Sequence, residues 1–110
     1  MRTLEFRAWH SGQKKMVHSN QFKGIMNTNY PSFEIMQYTG LKDKNGVKIF
    51  EGDILSNPKS SKGNYFVKFN VGGYDAVYKG NFTLCLHPVL HEFDGAEVIG
   101  NIYEHQHLLL

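Results

Sequence analysis

Six histidines and one cysteine are the side chains of this sequence best suited to metal binding or catalysis. His87 and His91 are four residues apart, so a helix would place both imidazoles on one face. Pro88 follows His87, where the zincin motif requires glutamate, and zinc would still need further ligands. The remaining candidate ligands are Glu92, Asp94, His105 and His107. We therefore predict histidines that are solvated or packed in loops, and no metal site.

Two other arrangements could support catalysis. Cys85 lies in an alternating apolar run, and no nearby base is indicated that would generate a reactive thiolate. Glu51 and Asp53 flank Gly52 and could act as paired carboxylates, but such pairs usually lie in a cleft. Here they occupy a solvated turn that leads into a strand. The sequence therefore predicts no catalytic residue, no cofactor and no enzymatic activity.

Lysines gather near the Asn-Gly pair at residues 45–46 and could attract phosphate. They are Lys42, Lys44 and Lys48, with Asp43 and Glu51 interleaved. The formal net charge of the chain is only +2. A solvated face is favoured over a nucleic-acid surface on this balance of charge, and nucleic-acid binding stays as the alternative.

Trp9 is the aromatic side chain most suited to contact a partner. Leu4, Phe6 and Ala8 share one face of an alternating segment, and Trp9 points to the other. If the first face enters the core, Trp9 lies outside it, either beneath residues 20–32 or in an interface, where aromatic residues are enriched. Trp9, Lys42, Lys44 and Lys48 are therefore the candidate interaction surface.

These side chains must be positioned by short strands, because no stretch of ten residues shows a helical apolar stripe. Alternating polar and apolar residues predict strands, which cover 3–9, 16–18, 33–39, 47–50, 54–55, 65–71, 76–78, 82–86 and 97–99. Asn45-Gly46 predicts a type I′ turn, which needs a positive φ at both residues. Residues 101–104 fit one helical turn, and no element is predicted for 20–32 or 87–95.

This succession of strands and turns predicts one all-β domain over residues 1–110, a small and partly open SH3-like barrel with at most short helical turns. A single cysteine excludes an internal disulfide. No secretory signal or membrane-spanning run is visible. A cytoplasmic protein is therefore expected.

Four segments in order resemble the YopX family of phage and prophage proteins. They are Phe6-Arg7-Ala8-Trp9, Met36-Gln37-Tyr38-Thr39-Gly40-Leu41-Lys42-Asp43-Lys44-Asn45-Gly46, Ile49-Phe50-Glu51-Gly52-Asp53-Ile54 and Glu97-Val98-Ile99-Gly100-Asn101-Ile102-Tyr103-Glu104. His10 stands where the family usually has an acidic residue. The resemblance implies a mainly β protein made inside a bacterial cell. It also suggests that the chain self-associates. It supplies no catalytic residues.

The expected function is thus a non-enzymatic protein-interaction module of phage origin. Its partner would be a phage or host protein in the cytoplasm of the bacterial cell, with homo-oligomerisation as a further alternative. No cofactor, metal or membrane is expected to take part.

Overall fold

Short antiparallel strands account for almost all of the secondary structure. The computed structural model describes residues 5–18, 33–56, 63–70, 73–78, 83–86 and 96–109, of which 83–85 are described in backbone only. These ranges contain nine strands and a 3-10 helix, Gln106–Leu109. The strands are β1 (Phe6–His10), β2 (Lys15–His18), β3 (Phe33–Lys42), β4 (Lys48–Phe50), β5 (Asp53–Ser56), β6 (Tyr65–Asn70), β7 (Gly73–Tyr78), β8 (Thr83–Cys85) and β9 (Glu97–Asn101).

The strands form two sheets rather than one. The order is β2-β1-β3-β4 in the first sheet and β8-β7-β6-β5-β9 in the second, and all described pairs are antiparallel. The second sheet curls into a half-barrel. The predicted all-β class is therefore confirmed, and the separate first sheet was not expected.

The main core lies inside the half-barrel. Alternation along β6 turns Tyr65 and Val67 inward while Phe66 and Lys68 point outward, which is the period-two pattern of a half-buried strand. The buried residues of this core are Ile49, Leu55, Tyr65, Val67, Ala76, Tyr78, Leu86 and Ala96. Ile49 comes from β4 of the first sheet, so the β3–β4 hairpin belongs to both layers.

Strand β1 is buried on both faces, which corrects the prediction for Trp9. Ala8 is fully buried beside Val17 on one face. Trp9 is only 8% exposed on the other face, where Arg7 also lies buried. The expectation that Trp9 lies outside the core is wrong, because Trp9 is buried and the ring of Tyr103, in the turn after β9, stacks on it. The expected position beneath residues 20–32 falls outside the described residues.

The turn between β3 and β4 differs from the predicted type I′ geometry. The N–H of Gly46 donates to the carbonyl of Asp43 at 3.0 Å. Gly46 has a φ of 80°, whereas Asn45 is not among the described residues with positive φ. The glycine alone supplies the left-handed residue that this hairpin needs.

Asp43 fastens this hairpin to the last strand. Its Oδ1 accepts the N–H groups of Asn45 and Val47 at 2.8 and 2.9 Å. Its Oδ2 accepts the N–H of Val98 in β9 at 2.9 Å. The amide of Asn45 donates to Glu97 at 2.9 Å. The acidic residue between the lysines is therefore buried in a structural role and does not act as a surface charge.

Residues 101–105 form a single turn of the α-helical type, as predicted, in which the N–H of His105 donates to the carbonyl of Asn101 at 2.9 Å. Asn101 ends β9, a turn covers 102–104, and the 3-10 helix follows at Gln106–Leu109. No helix within the described ranges is long and apolar enough to cross a membrane.

Replacing Tyr65 with Phe tests the core. Burial raises the pKa of Tyr65 far above its ordinary value of 10.0, so the folded state keeps a proton that the unfolded state releases above that pH. The free energy of unfolding should therefore fall as pH rises beyond about 10. Tyr65→Phe should remove the part of this decrease that is due to Tyr65. Near pH 7 the substitution should change the free energy of unfolding by less than about 1 kcal/mol, because the Tyr65 hydroxyl has no hydrogen-bond partner among the described residues.

Urea unfolding of both proteins at about pH 7 and about pH 11 measures this difference. Tyr74→Phe serves as the control, since Tyr74 is only partly buried. Equal alkaline losses in wild type and Tyr65→Phe would contradict the prediction.

Candidate functional site

The two sheets meet at a buried ion pair. Nη2 of Arg7 in β1 lies 2.7 Å from Oδ1 of Asp53 in β5 and donates to the carbonyl of Glu51 at 3.2 Å. The guanidinium carbon lies 4.8 Å from the ring centre of Phe50, and Oδ2 of Asp53 accepts the Phe50 N–H at 2.8 Å. The Glu51-Gly52-Asp53 turn is confirmed, but Asp53 is buried and not solvated as predicted.

Burial is the strongest influence on the protonation of Asp53. It raises the pKa of this carboxyl above its ordinary value, more than the nearby Arg7 charge and the Phe50 N–H lower it. Nε of Arg7 is buried without a hydrogen-bond partner among the described residues. The pair therefore joins the sheets at a considerable cost in desolvation.

Gly52 occupies the point where the chain crosses from one sheet to the other. Its N–H donates to the carbonyl of Val67 at 2.8 Å, and its carbonyl accepts the N–H of Ile102 at 2.9 Å. Its φ of 87° lies in the left-handed region, and a Cβ there would stand 3.1 Å from Sδ of Met36. The conformation favours glycine, and a Cβ would in addition crowd the Met36 side chain.

Asn101 shapes the turn that carries Tyr103. Its Oδ1 accepts the N–H groups of Tyr103 and Glu104, both at 3.0 Å, and its amide donates to the Glu104 carboxylate at 2.9 Å. The N–H of Asn101 donates to Nδ1 of His105 at 3.1 Å. This histidine is therefore packed within a turn, which is one of the two placements predicted for the histidines.

Trp9 and Tyr103 stack against each other beside this turn. Their ring centres are 5.6 Å apart and their planes differ by 18°. Trp9 in β1 is thereby covered by a residue near the C-terminus. No sequence pattern indicated this contact, because the two residues are brought together only by the packing of the sheets.

A cleft of about 270 Å³ opens next to this stack and is called the inter-sheet cleft. It lies between β3, the crossing turn, β6 and the C-terminal turn. Its lining residues are Glu34, Ile35, Met36, Glu51, Gly52, Phe66, Val67, Lys68, Ile102 and Tyr103. Apolar groups from both sheets thus form a recess with charged residues on several sides.

The charges around Tyr103 are reflected in its pKa. Burial raises the pKa of its phenol, the carboxylates of Glu34 and Glu51 raise it further, and Arg7 acts in the opposite direction. Oε1 of Glu51 also accepts the N–H of Gln37 at 3.3 Å, which holds this carboxylate at the turn. Sequence reasoning missed this site, whose acidic residues lie seventeen positions apart on different elements.

The structure separates the predicted interaction residues. Lys42, Lys44 and Lys48 are all exposed around the hairpin, whereas Trp9 is buried at the sheet junction. Nζ of Lys48 lies 2.7 Å from Glu5 and 5.5 Å from the centre of the Tyr38 ring. The lysines therefore do not form a basic patch free of acidic neighbours.

The metal-ligand candidates are only partly covered by the described residues. His87, His91, Glu92 and Asp94 lie outside them, as does the side chain of Cys85. The ring centres of His105 and His107 are 6.3 Å apart. In the portion of the chain that is described, no three histidine, cysteine or acidic residues are grouped so that they could hold a metal ion.

Comparisons with known proteins identify relatives of this chain. The family model described as YopX protein matches residues 23–110, so the Phe6–Trp9 segment precedes the matched range. The crystal structure of protein EF1440 from Enterococcus faecalis is similar over 100% of both chains, with a TM-score of 0.70 and 28% sequence identity. None of the curated proteins matches the chain. The family expected from the motifs is confirmed.

Replacing Gly52 with Ala tests the crossing point. The variant combines a strained left-handed φ with a contact to Met36, so it should lose about 2–4 kcal/mol of unfolding free energy. Gly46→Ala is the matched control, because Gly46 has a φ of 80° but open space around its Cβ position. It should lose only about 1–2 kcal/mol. Equal losses in urea unfolding would show that the packing beneath Gly52 is unimportant.

A double-mutant cycle tests the ion pair that joins the sheets. Arg7→Met should destabilise by about 3 kcal/mol or more, since it leaves the buried Asp53 carboxylate without its partner. Asp53→Asn should destabilise less, because burial already favours the neutral form of this carboxyl. The double variant should lose clearly less than the sum of the two single losses. Strict additivity in urea unfolding would mean that the two side chains act independently.

The same variants give a pH dependence. Because the folded-state pKa of Asp53 is raised above 3.8, wild-type stability relative to Asp53→Asn should decrease as pH rises from 3.8 through the folded-state value. A rise in relative stability across this window would contradict the direction of the shift.

Proposed function

We propose a protein-interaction role for this chain, which belongs to the YopX family. In this proposal the chain is a non-enzymatic module that holds a partner protein at the inter-sheet cleft. The observation that carries the proposal is the lining of the cleft, where apolar groups from both sheets lie beside Glu34, Glu51 and Lys68. Protein interfaces combine an apolar centre with a polar rim in the same way.

The size of the cleft favours a side chain over a whole metabolite as its occupant. Its volume of about 270 Å³ is below the roughly 300–1,000 Å³ typical of small-molecule sites. Its walls belong to strands and hydrogen-bonded turns of both sheets. A partner would therefore bind a largely preformed recess, and the free-energy cost of ordering its walls would be small.

Ile35 extends the apolar surface beyond the cleft. This residue lines the cleft and is 49% exposed on β3. A partner that covers Ile35 removes apolar surface from water, at roughly 25 cal/mol for each Å² buried. The contact surface in this proposal therefore includes Ile35 and the cleft beside it.

A protein partner is favoured over nucleic acid by the charges. Lys48 is paired with Glu5, and the cleft has Glu34 and Glu51 in its lining, which would repel phosphate. The partner in this proposal is a phage or host protein met in the bacterial cytoplasm. Self-association at the same surface is an outcome that light scattering would reveal.

A pair of matched substitutions tests this proposal. Ile35→Glu places a charge on the exposed part of β3 that borders the cleft, and Val47→Glu places one on the hairpin, at a residue that is 47% exposed and does not line the cleft. Affinity capture from lysogenic cells should retain the same partner with wild type and Val47→Glu. Ile35→Glu should weaken retention about tenfold or more.

Two results would contradict the proposal. One is equal retention by both variants, and the other is failure of the wild-type chain to retain any protein. A band shift of DNA or RNA that weakens steeply with salt would instead support the nucleic-acid alternative.

A further inference from the structure

The inter-sheet cleft carries an excess of negative charge. Glu34 on β3 and Glu51 at the crossing turn both line it. The one lysine in its lining, Lys68, lies directly opposite Asp75 in the β6–β7 pairing. The two glutamates outnumber this lysine in the lining, so a ligand entering the cleft would meet a net negative charge.

The side of the cleft formed by Tyr103 is suited to a flat cation. The Tyr103 ring is held in place by its stack with Trp9, and its turn is fixed by Asn101. Aromatic rings attract guanidinium groups over their faces. Ile102 and Phe66 also line the cleft and supply apolar surface for an aliphatic stem.

We propose that the inter-sheet cleft binds an arginine side chain of the partner protein. The Glu34 and Glu51 carboxylates accept N–H groups of the guanidinium, and Tyr103 packs against its plane. Arginine suits this arrangement better than lysine, because its planar group makes several directed hydrogen bonds and also stacks on aromatic rings. The inference rests on the proposed function and specifies the chemistry of the contact.

A hard metal ion fits the same residues less well. Calcium takes 6–8 oxygen ligands, and the lining of the cleft contains two carboxylates. An uncharged apolar side chain would leave these carboxylates partly desolvated and without a counter-charge. Charge complementarity therefore selects a basic occupant.

Synthetic peptides provide the direct test. The probe is an acetylated and amidated pentapeptide with arginine between pairs of alanines, compared with the same peptide carrying citrulline, a neutral isostere of arginine. The chain has a single tryptophan, and Trp9 stacks on Tyr103 at the cleft, so its fluorescence reports binding. The arginine peptide should give a saturable change, and the citrulline peptide should bind about tenfold more weakly or not at all.

Conservative variants connect this binding to the two carboxylates. Glu34→Gln and Glu51→Gln should each weaken binding of the arginine peptide about tenfold. Glu5→Gln is the matched control and should bind like wild type, because Glu5 pairs with exposed Lys48 and does not line the cleft. Lys68→Gln should bind equally or more tightly.

The phenol of Tyr103 gives an independent readout. A bound guanidinium favours the phenolate, so the arginine peptide should lower the pKa of Tyr103 in an absorbance titration, whereas the citrulline peptide should not. A merely structural role of the glutamates would not produce this difference between the peptides.

The inference is overturned if both peptides bind equally, if neither gives a saturable change, or if the cleft glutamate variants bind like wild type. The capture experiment with Ile35→Glu distinguishes this failure from failure of the proposed function. If a partner is lost with Ile35→Glu but retained with Glu34→Gln and Glu51→Gln, the cleft is an interaction surface whose occupant is not basic.

Discussion

The buried ion pair between Arg7 and Asp53 is the interaction on which the rest of this structure depends. It joins the second residue of β1 to the first residue of β5, which belong to different sheets. The same guanidinium donates to the Glu51 carbonyl, and the same carboxylate accepts the Phe50 N–H. The pair therefore fixes both the distance between the sheets and the course of the chain that crosses between them.

The position of the cleft follows from this constraint. Once Glu51 and Asp53 are held, Gly52 must turn between them with a left-handed φ, and its two backbone hydrogen bonds reach β6 and the C-terminal turn. The recess that remains beside Gly52 is the inter-sheet cleft. A costly buried charge pair thus determines where the molecule has an opening, whatever its net contribution to stability.

The strands and turns could be predicted from the sequence because their signals are local. Alternation in β1, β3 and β6 and the glycines at 46 and 52 were sufficient to place these elements and their turns. The burial of Trp9 could not be predicted in this way. Period-two alternation tells which residues share a face of a strand, but it does not tell whether another part of the chain covers that face.

Three acidic residues close together in sequence show the same limit of prediction from local sequence patterns. Asp43 accepts three backbone N–H groups, Asp53 is buried against Arg7, and Glu51 alone among them lines the cleft. Their residue types and local patterns are alike, so the difference comes from the groups that tertiary packing places around each one. The prediction of a type I′ turn was wrong for a related reason, because the Asp43 carboxylate accepts the N–H groups of Asn45 and Val47 from within the hairpin.

The motif residues Gly52, Asp53 and Asn101 differ from the exposed cleft residues Glu34 and Lys68 for a physical reason. Gly52, Asp53 and Asn101 use their conformations or polar atoms to hold other parts of the chain, so little of their chemistry remains for a ligand. Glu34 and Lys68 are exposed on their strands and can change in charge without leaving a buried group unpaired. The motifs that reveal the family therefore contain the residues that maintain the frame, whereas Glu34 and Lys68 of the cleft lie outside those motifs.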